Sequence, residues 1–439
     1  MTTAIENLDV RPSWFSFESI KAACVSLIFI SSFFVKFEPA PSDLFSFIAL
    51  LLFARTGLYM ARSFAVPLFF IVVYMVAYLV SATVIDRPEL PTDPQNPLFY
   101  WVITAYMTAA AVLIAGYVAA DPLKRFMQIT RAWWIGATIG SVIGLLIYFG
   151  FKPLLTIVSS IGSAPALGYV NRVIGAYKDP NVFSTWLVFP IVSMIQALAL
   201  GRLRLNLISI SALSINVLAL LLALSRGAWF DLAAASILTL ALTTLLTPSL
   251  RQRQNVMLLG IAGIFLVAIL LVVLLSVPSI SAAFTERFVL VKSYDSGENG
   301  RFGHQLNAIP ILLGLPLGLG PYQFQTIFGD APHNAFLNSF AGGGWLAGIS
   351  YIMWFLTTTY MGIKTVFTRS PFQAFAIPVT CTYIIMTAQG FQIDNEHWRH
   401  LFWMMGLIWG LFATTELHRS KAQNLNLILE GWNLKPNVE

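Results

Sequence analysis

About twelve times along this chain, an apolar stretch long enough to cross a bilayer is followed by a short connection, and no other feature limits the fold as much. A membrane-crossing helix needs roughly 20 apolar residues. In hydrocarbon the backbone amides and carbonyls have no water to bond, so a segment of that length must satisfy them internally, as a helix. The stretches are 20–36, 43–60, 64–85, 99–120, 133–151, 182–200, 205–224, 228–247, 255–277, 335–362, 372–391 and 398–416, the second weakened by Arg55. Hydrophobic residues make up 57% of the chain and charged residues only 10%, whereas a soluble domain carries about 25% charge. The predicted fold class is an all-α polytopic membrane protein, with about 12 transmembrane helices and one large outer loop.

Charge placement predicts the orientation. With the N-terminus in the cytoplasm, every inner connection carries at least two basic residues, as cytoplasmic loops should. These are Arg55 and Arg62; Lys124, Arg125 and Arg131; Arg202 and Arg204; Arg251 and Arg253; Lys364 and Arg369; and Arg419 with Lys421. The outer connections are acidic or mixed: Glu38 and Asp43, then Asp86, Arg87, Glu89 and Asp93, then the longer segments 152–181 and 278–334. Both termini are therefore expected in the cytoplasm. The net charge of +6 follows from the inner loops and does not point to nucleic acid. Cys24 and Cys381 lie inside apolar stretches, which excludes a disulfide framework and a cysteine metal site. The N-terminus has no basic start before an apolar run, so a cleavable signal peptide is not expected.

The chain divides into a cytoplasmic N-terminus (1–19), nine spans with the outer segment 152–181 (20–277), a large outer loop (278–334), three further spans (335–416) and a cytoplasmic tail (417–439). Within the large loop, 293–300 reads as irregular and 301–313 as an amphipathic helix near the surface.

The residues able to do chemistry gather on the outer side: Arg226, Arg301, His333, Asp394, Glu396 and Arg399. That face has no ATP and no nucleotide sugars, so an enzyme there needs a donor that arrives activated, and a lipid-linked donor fits. Arg226, in Leu224-Ser225-Arg226-Gly227, could be a plain cation at a helix C-terminus or a phosphate ligand, since guanidinium grips phosphate oxygens in a fork. Arg301 alone reads as a solvated loop arginine; with Arg226 it could complete a diphosphate clamp. Asp330 and Pro332 read as the opening of a helix, which puts His333 in the first turn, where the dipole favours the neutral ring a general base needs. It could equally be an interfacial histidine. Gly344 and Gly348 form a small-xxx-small pair for close helix approach. The stretch Asp394-Asn395-Glu396-His397-Trp398-Arg399-His400 reads either as an interface anchor or as an acceptor site holding a carboxylate that orients His333. No Walker-type loop, no His–Glu–His metal pattern and no outer Asp-x-Asp pair occurs. No metal and no cofactor is expected, and arginines would have to meet the charge of a leaving diphosphate.

Together, Asp179-Pro180-Asn181, Ser225-Arg226-Gly227-Ala228, the run Pro316-Leu317-Gly318-Leu319-Gly320-Pro321, and His333-Asn334 followed by a Gly-rich helix resemble the O-antigen ligase / O-antigen polymerase superfamily, over roughly 170–415 and in the same order. One departure is that position 347 is Ala347, with the second glycine at Gly348. The resemblance implies a GT-C-like, metal-independent, inverting glycosyltransferase on the periplasmic side of a bacterial inner membrane. Its donor would be a glycan on undecaprenyl diphosphate. Arg226 and Arg301 would hold the diphosphate and His333 would act on the acceptor hydroxyl, with Asn334, Asn181, Asp394, Glu396 and Arg399 as the expected substrate-binding residues. The acceptor would be a lipid-linked repeat, for a polymerase of O-antigen or exopolysaccharide, or lipid A–core, for a ligase. Membrane lipids, a flippase and a chain-length regulator would be its partners. The near-balanced charge of 278–334 favours the polymerase, because lipid A–core is rich in phosphate. A twelve-span transporter or flippase is the rival from another class; it should show matched charges or broken helices in two halves, and no such symmetry is visible in the sequence.

Overall fold

The computed structural model describes residues 16–85, 97–151, 153, 156–158, 172–287, 297 and 300–431. The expected outer loop with Asp86, Arg87, Glu89 and Asp93, and residues 293–296, 298 and 299 of the irregular run 293–300, lie outside them. Among the described residues the chain is helical, without strands. The helices are α1 (Phe17–Ile30), α2 (Pro41–Thr56), α3 (Ala65–Val84), α4 (Pro97–Ala120), α5 (Pro122–Tyr148), α6 (Pro180–Trp186), α7 (Val188–Ala199), α8 (Leu207–Leu222), α9 (Arg226–Leu246), α10 (Leu250–Leu275), α11 (Pro278–Arg287), α12 (Arg301–Leu313), α13 (Phe324–Phe328), α14 (Ala335–Phe367), α15 (Gln373–Ala388) and α16 (Arg399–Gly431).

Each of the twelve predicted stretches falls on helix, but eight helical segments are long and apolar enough to cross a membrane: Arg62–Val84, Leu98–Ala120, Pro122–Tyr148, Pro180–Ala199, Arg226–Leu246, Leu250–Leu275, Ala335–Phe367 and Gln373–Phe391. The chain is thus a multi-pass membrane protein by architecture, with eight such helices among the described residues against about twelve predicted stretches. The difference has local causes. The apolar run 43–60 continues past α2, but the helix stops at Gly57, whose φ of 86° breaks it, after 16 residues. Likewise α1 has 14 residues before a 3-10 turn. Pro122 starts α5 well ahead of the predicted 133, so Lys124, Arg125 and Arg131 belong to a helix and not to a loop. Residues 417–431 of the expected tail are also helix, because α16 runs on to Gly431.

The C-terminal helix is the centre of the bundle. Trp403, Met404, Leu407, Ile408, Trp409 and Leu411 are all buried. Gly406 and Gly410 let α16 approach α4 closely, since a Cβ on either would meet the carbonyl of Ala111 or Ala115. This is a small-xxx-small contact. At the other extreme, α10 buries only 6% of its most apolar window and presents the rest outward, as a lipid-facing helix would.

The pair Gly344 and Gly348 has a different role from the predicted one. At Gly344 (φ 74°, ψ −165°) α14 is broken into two helices. The loop Pro316-Leu317-Gly318-Leu319-Gly320 docks into the break. Leu319 and Gly320 donate to the Ala341 carbonyl at 2.7 and 3.2 Å, and Trp345 donates to the Pro316 carbonyl at 3.0 Å. Groups orphaned by the interruption are thereby satisfied. Gly348 accommodates the Phe340 ring of the same element.

Charged and polar contacts sort onto two ends of the bundle. At one end, Lys21 pairs with Glu18 and reaches Thr56, Lys364 pairs with Glu416, and Arg202 lies over the Phe375 ring. At the other, Arg399 pairs with Asp43, Lys178 with Glu38, Arg301 with the Gln392 carbonyl, and His333 with Asp394. Among the described residues, Glu38, Asp43, Lys178, Arg301, His333, Asp394 and Arg399 of the segments predicted to be outer lie at one end of the fold.

Candidate functional site

His333 lies just outside α14. The helix begins at Ala335, and its cap is Asn334, whose side chain accepts from the Leu337 amide at 3.0 Å. The expected cap at Asp330 and the placement of His333 in the first turn are therefore incorrect: His333 sits at φ 46°, in the left-handed region, one residue before the cap. A tight turn there is sustained by one carboxylate. Asp394 accepts from the His333 amide at 3.1 Å with Oδ2 and from the Asn334 amide at 2.9 Å with Oδ1. Its Oδ2 also lies 3.6 Å from His333 Nδ1, too long for a hydrogen bond. The imidazole thus faces a carboxylate rather than a helix dipole, and it is 41% exposed, open to a partner from outside. Burial raises the Asp394 carboxyl above its ordinary value, and His333, the two amides and Arg301 each pull it back down.

Around this pair, the Gln305 amide of α12 donates to the Pro332 carbonyl at 2.9 Å and so fixes the approach to His333. Arg301 opens the same helix, with a guanidinium nitrogen 3.4 Å from the Gln392 carbonyl and its Cζ 4.9 Å from the Phe302 ring. Arg226 is at the start of α9, not at a helix C-terminus, so the dipole opposes its charge instead of favouring it. The next residue, Gly227, packs against the Gln389 side chain, and Gly390 packs against Asn395, Ala335 and Phe336. The turn 389–391 thereby links the Arg226 end of α9 to the start of α14.

The remaining predicted residues point inward. Glu396 is buried, with Oε1 accepting from Asn338 Nδ2 and, at 3.3 Å, from Tyr100. Its other oxygen has no hydrogen-bond partner, and the side chain borders a cavity of about 20 Å³ lined by Tyr351, Trp354, Tyr383 and Thr387 among others, which is room for one water. Burial, and secondarily the charge of Asp394, raises the Glu396 carboxyl to about 8. The neighbouring His397 bonds Thr104 at 2.8 Å and is lowered by burial to about 3. Because the folded-state value of Glu396 lies above its ordinary 4.5, its contribution to stability is full below about 4.5 and is lost as pH rises through about 8. Between pH 7 and pH 9, a window in which the buried His397 and His400 stay neutral, the expected result is a melting temperature in detergent that falls for the wild type. Glu396→Gln, which keeps the acceptor for Asn338 and Tyr100, should flatten that fall and melt higher at pH 9. Parallel pH profiles would show that Glu396 carries no such proton.

Arg399 makes a two-pronged pair with Asp43, Nε to Oδ1 and a terminal nitrogen to Oδ2, both at 2.7 Å. That pair ties α16 to α2. Asn181 accepts from Arg172 at 2.9 Å. Arg172 was not among the predicted residues, although it carries the signal that marks Arg226: an arginine in an outer segment, against the positive-inside bias. Asp43, Gln305, Asn338 and Tyr100 had no comparable signal; each is a polar residue in or beside a helix whose importance comes from a distant contact. The structure thus gathers His333, Asp394 and Arg301, links Arg226 to them through 389–391, and commits Asn181, Asn334, Glu396 and Arg399 to intramolecular partners. Compared with known proteins, the chain matches no family model and no curated protein.

Proposed function

We propose that this protein is a metal-independent inverting glycosyltransferase of the bacterial inner membrane, acting on the periplasmic side with both termini in the cytoplasm. It takes a glycan from undecaprenyl diphosphate and joins it to a sugar hydroxyl of a second lipid-linked repeat. The observation that carries this reading is the His333–Asp394 pair: an exposed imidazole backed by a carboxylate, with Arg301 beside it and the Arg226 end of α9 linked to it. In the reaction His333 takes the proton of the acceptor hydroxyl. The oxygen forms a bond to the anomeric carbon, the bond from that carbon to the diphosphate oxygen breaks, and undecaprenyl diphosphate departs. A one-step attack inverts the anomeric configuration. Arg226 and Arg301 stabilise the charge that grows on the leaving diphosphate. Asp394 holds the turn that carries His333 through the two amides, and its charge stabilises the imidazolium as it forms.

The test is the size profile of lipid-linked and surface glycan in cells carrying wild type, a deletion, or His333→Ala. Single repeats left on the carrier in both mutants are expected. Long chains that accumulate on the carrier without reaching lipid A–core would instead make the protein a ligase. An unchanged profile would sink both readings in favour of transport.

A further inference from the structure

Away from His333, at the end of the bundle that holds Lys364 and Glu416, three elements leave a groove on the outside of the fold. The 3-10 turn 62–64 and the start of α3 form one wall, α14 the second and α16 the third. The walls are tied together from behind. Phe64 is buried with its ring 6.3 Å from that of Trp409, and Trp409 Nε1 donates to the Thr358 hydroxyl at 3.1 Å. The groove has a volume of about 430 Å³, within the ~300–1,000 Å³ range of small-ligand sites. Its lining is mainly apolar: Val66, Met353, Leu356, Tyr360, Met361 and Phe412, joined by Ser63 and Thr357. The Thr357 hydroxyl is committed to the Met353 carbonyl at 2.6 Å.

Depth and length decide what fits. Both α3 and α14 belong to helical segments long and apolar enough to cross a membrane, so an occupant of the groove has to be hydrocarbon where it touches them. On α14 the lining runs from Met353 to Met361, about 12 Å of helix, less than half of a hydrocarbon core of about 30 Å. A second membrane helix would need a groove along the whole span, whereas a lipid chain of one leaflet fits this length. Beyond Met361 the same faces turn basic. Lys364 lies one turn after Tyr360, with its ammonium 5.8 Å from the centre of that ring and 5.3 Å from the centre of Phe412. It pairs with Glu416 at 3.2 Å. Arg419 follows Phe412 and Glu416 at helical spacing on α16. Arg62 directly precedes Ser63, and both arginines are exposed. Three cations thus stand against one carboxylate at the mouth of an apolar groove. Basic pockets between membrane helices take anionic lipid headgroups.

We propose that this groove binds one anionic phospholipid, with an acyl chain between α3, α14 and α16 and the phosphate at Arg62, Lys364 and Arg419. The site is separate from the reaction assigned to His333 and does not depend on it.

The experiment is titration of phosphatidylglycerol, and separately of phosphatidylethanolamine with the same chains, into the full-length protein in detergent, with the retained lipids counted by native mass spectrometry. The proteins are wild type, R62Q, R419Q, L356W, which fills the groove, and R251Q, which removes a basic residue from the start of α10, a helix packed on α7, α9 and α11. Lys364 is left in place because its loss would free Glu416. Wild type should hold one phosphatidylglycerol more tightly than any further copy and more tightly than phosphatidylethanolamine. R62Q and R419Q should each weaken that first lipid about fivefold, the usual effect of one basic residue near a membrane surface, and R251Q should not. L356W should abolish the tight first site. Equal weakening in R62Q, R419Q and R251Q would mean a diffuse attraction to basic helix ends and overturns the proposal, as does no weakening in R62Q and R419Q. Undiminished first-site binding in L356W overturns it too. So does a wild-type dimer that L356W dissolves, because a second copy then occupies the groove. If L356W does not fold, R62Q and R419Q, changed at exposed positions, decide against R251Q.

Discussion

Replacing His333 with Asn should lower the rate at which purified protein joins lipid-linked glycans by about 10²–10⁴, the usual contribution of a positioned general base, while the melting temperature stays close to that of the wild type. Asn is the sharper choice than Ala because His333 occupies the left-handed region at φ 46°, where Asn rests with little strain and Ala does not. The main-chain amide that donates to Asp394 survives either change. The ring is 41% exposed, so little buried area goes with it. His333→Ala should lose the same activity and some stability besides. Asp394→Asn should fall between, because its amide nitrogen would face one of the two backbone donors that the carboxylate now accepts from, and both the turn and the ring orientation would loosen. A His333→Asn protein that joins glycans at the wild-type rate would remove the imidazole from the chemistry.

The membrane character of the fold was legible because it is a local property. Runs such as 64–85 and 255–277 have no alternative to helix in hydrocarbon, and α3 and α10 lie where they were expected. Helix ends inside apolar runs were not legible. Gly57-Leu58-Tyr59-Met60 continues the apolar pattern of α2, yet a single positive φ ends the helix. The same blindness concealed the break at Gly344, whose docked loop lies more than twenty residues upstream. At the site, a carboxylate able to orient His333 was expected within 394–400, and Asp394 accepts from the His333 amide across a separation of 61 residues. Glu396, two positions on, points instead to Asn338 and Tyr100. Spacing along a loop gives no rule for which carboxylate turns outward. Arg399 shows the limit most plainly, because Asp43 stands 356 residues away, and no pattern near position 399 announces it. Arginines in the segments expected to be outer are more legible: the sign of their charge runs against the membrane bias, and Arg172 could have been found by that rule alone.

Gly344→Ala should destabilise the protein more than any other single methyl added to the bundle, with loss of the high-temperature unfolding transition in detergent and rapid proteolysis. At φ 74° and ψ −165° the residue occupies a region of backbone space essentially reserved for glycine, and a side chain there costs about 1–3 kcal/mol before any contact is counted. The contact is worse than the torsion. The new Cβ would collide with the Pro316 carbonyl oxygen and with Leu317 backbone atoms. Backbone on both sides cannot swing aside as a side chain can, so the loop 316–320 must leave the break. Its departure would strand the Ala341 carbonyl and the Trp345 amide, each worth about 1–3 kcal/mol when left buried and unpaired. The effect should reach the site, because the short helix 335–343 runs from the break to His333, and Tyr78 packs on Gly342 and Gly343 along it. Gly318→Ala should behave alike, since its Cβ would strike the Ala341 carbonyl and the Gly344 amide from the opposite side. Gly263→Ala, on the outward-facing α10 with nothing within 4 Å of the added carbon, is the matched control and should be neutral or slightly stabilising. Equal stability of Gly344→Ala and Gly263→Ala would mean that α14 is not interrupted at Gly344, and that the loop does not hold the start of that helix where His333 needs it.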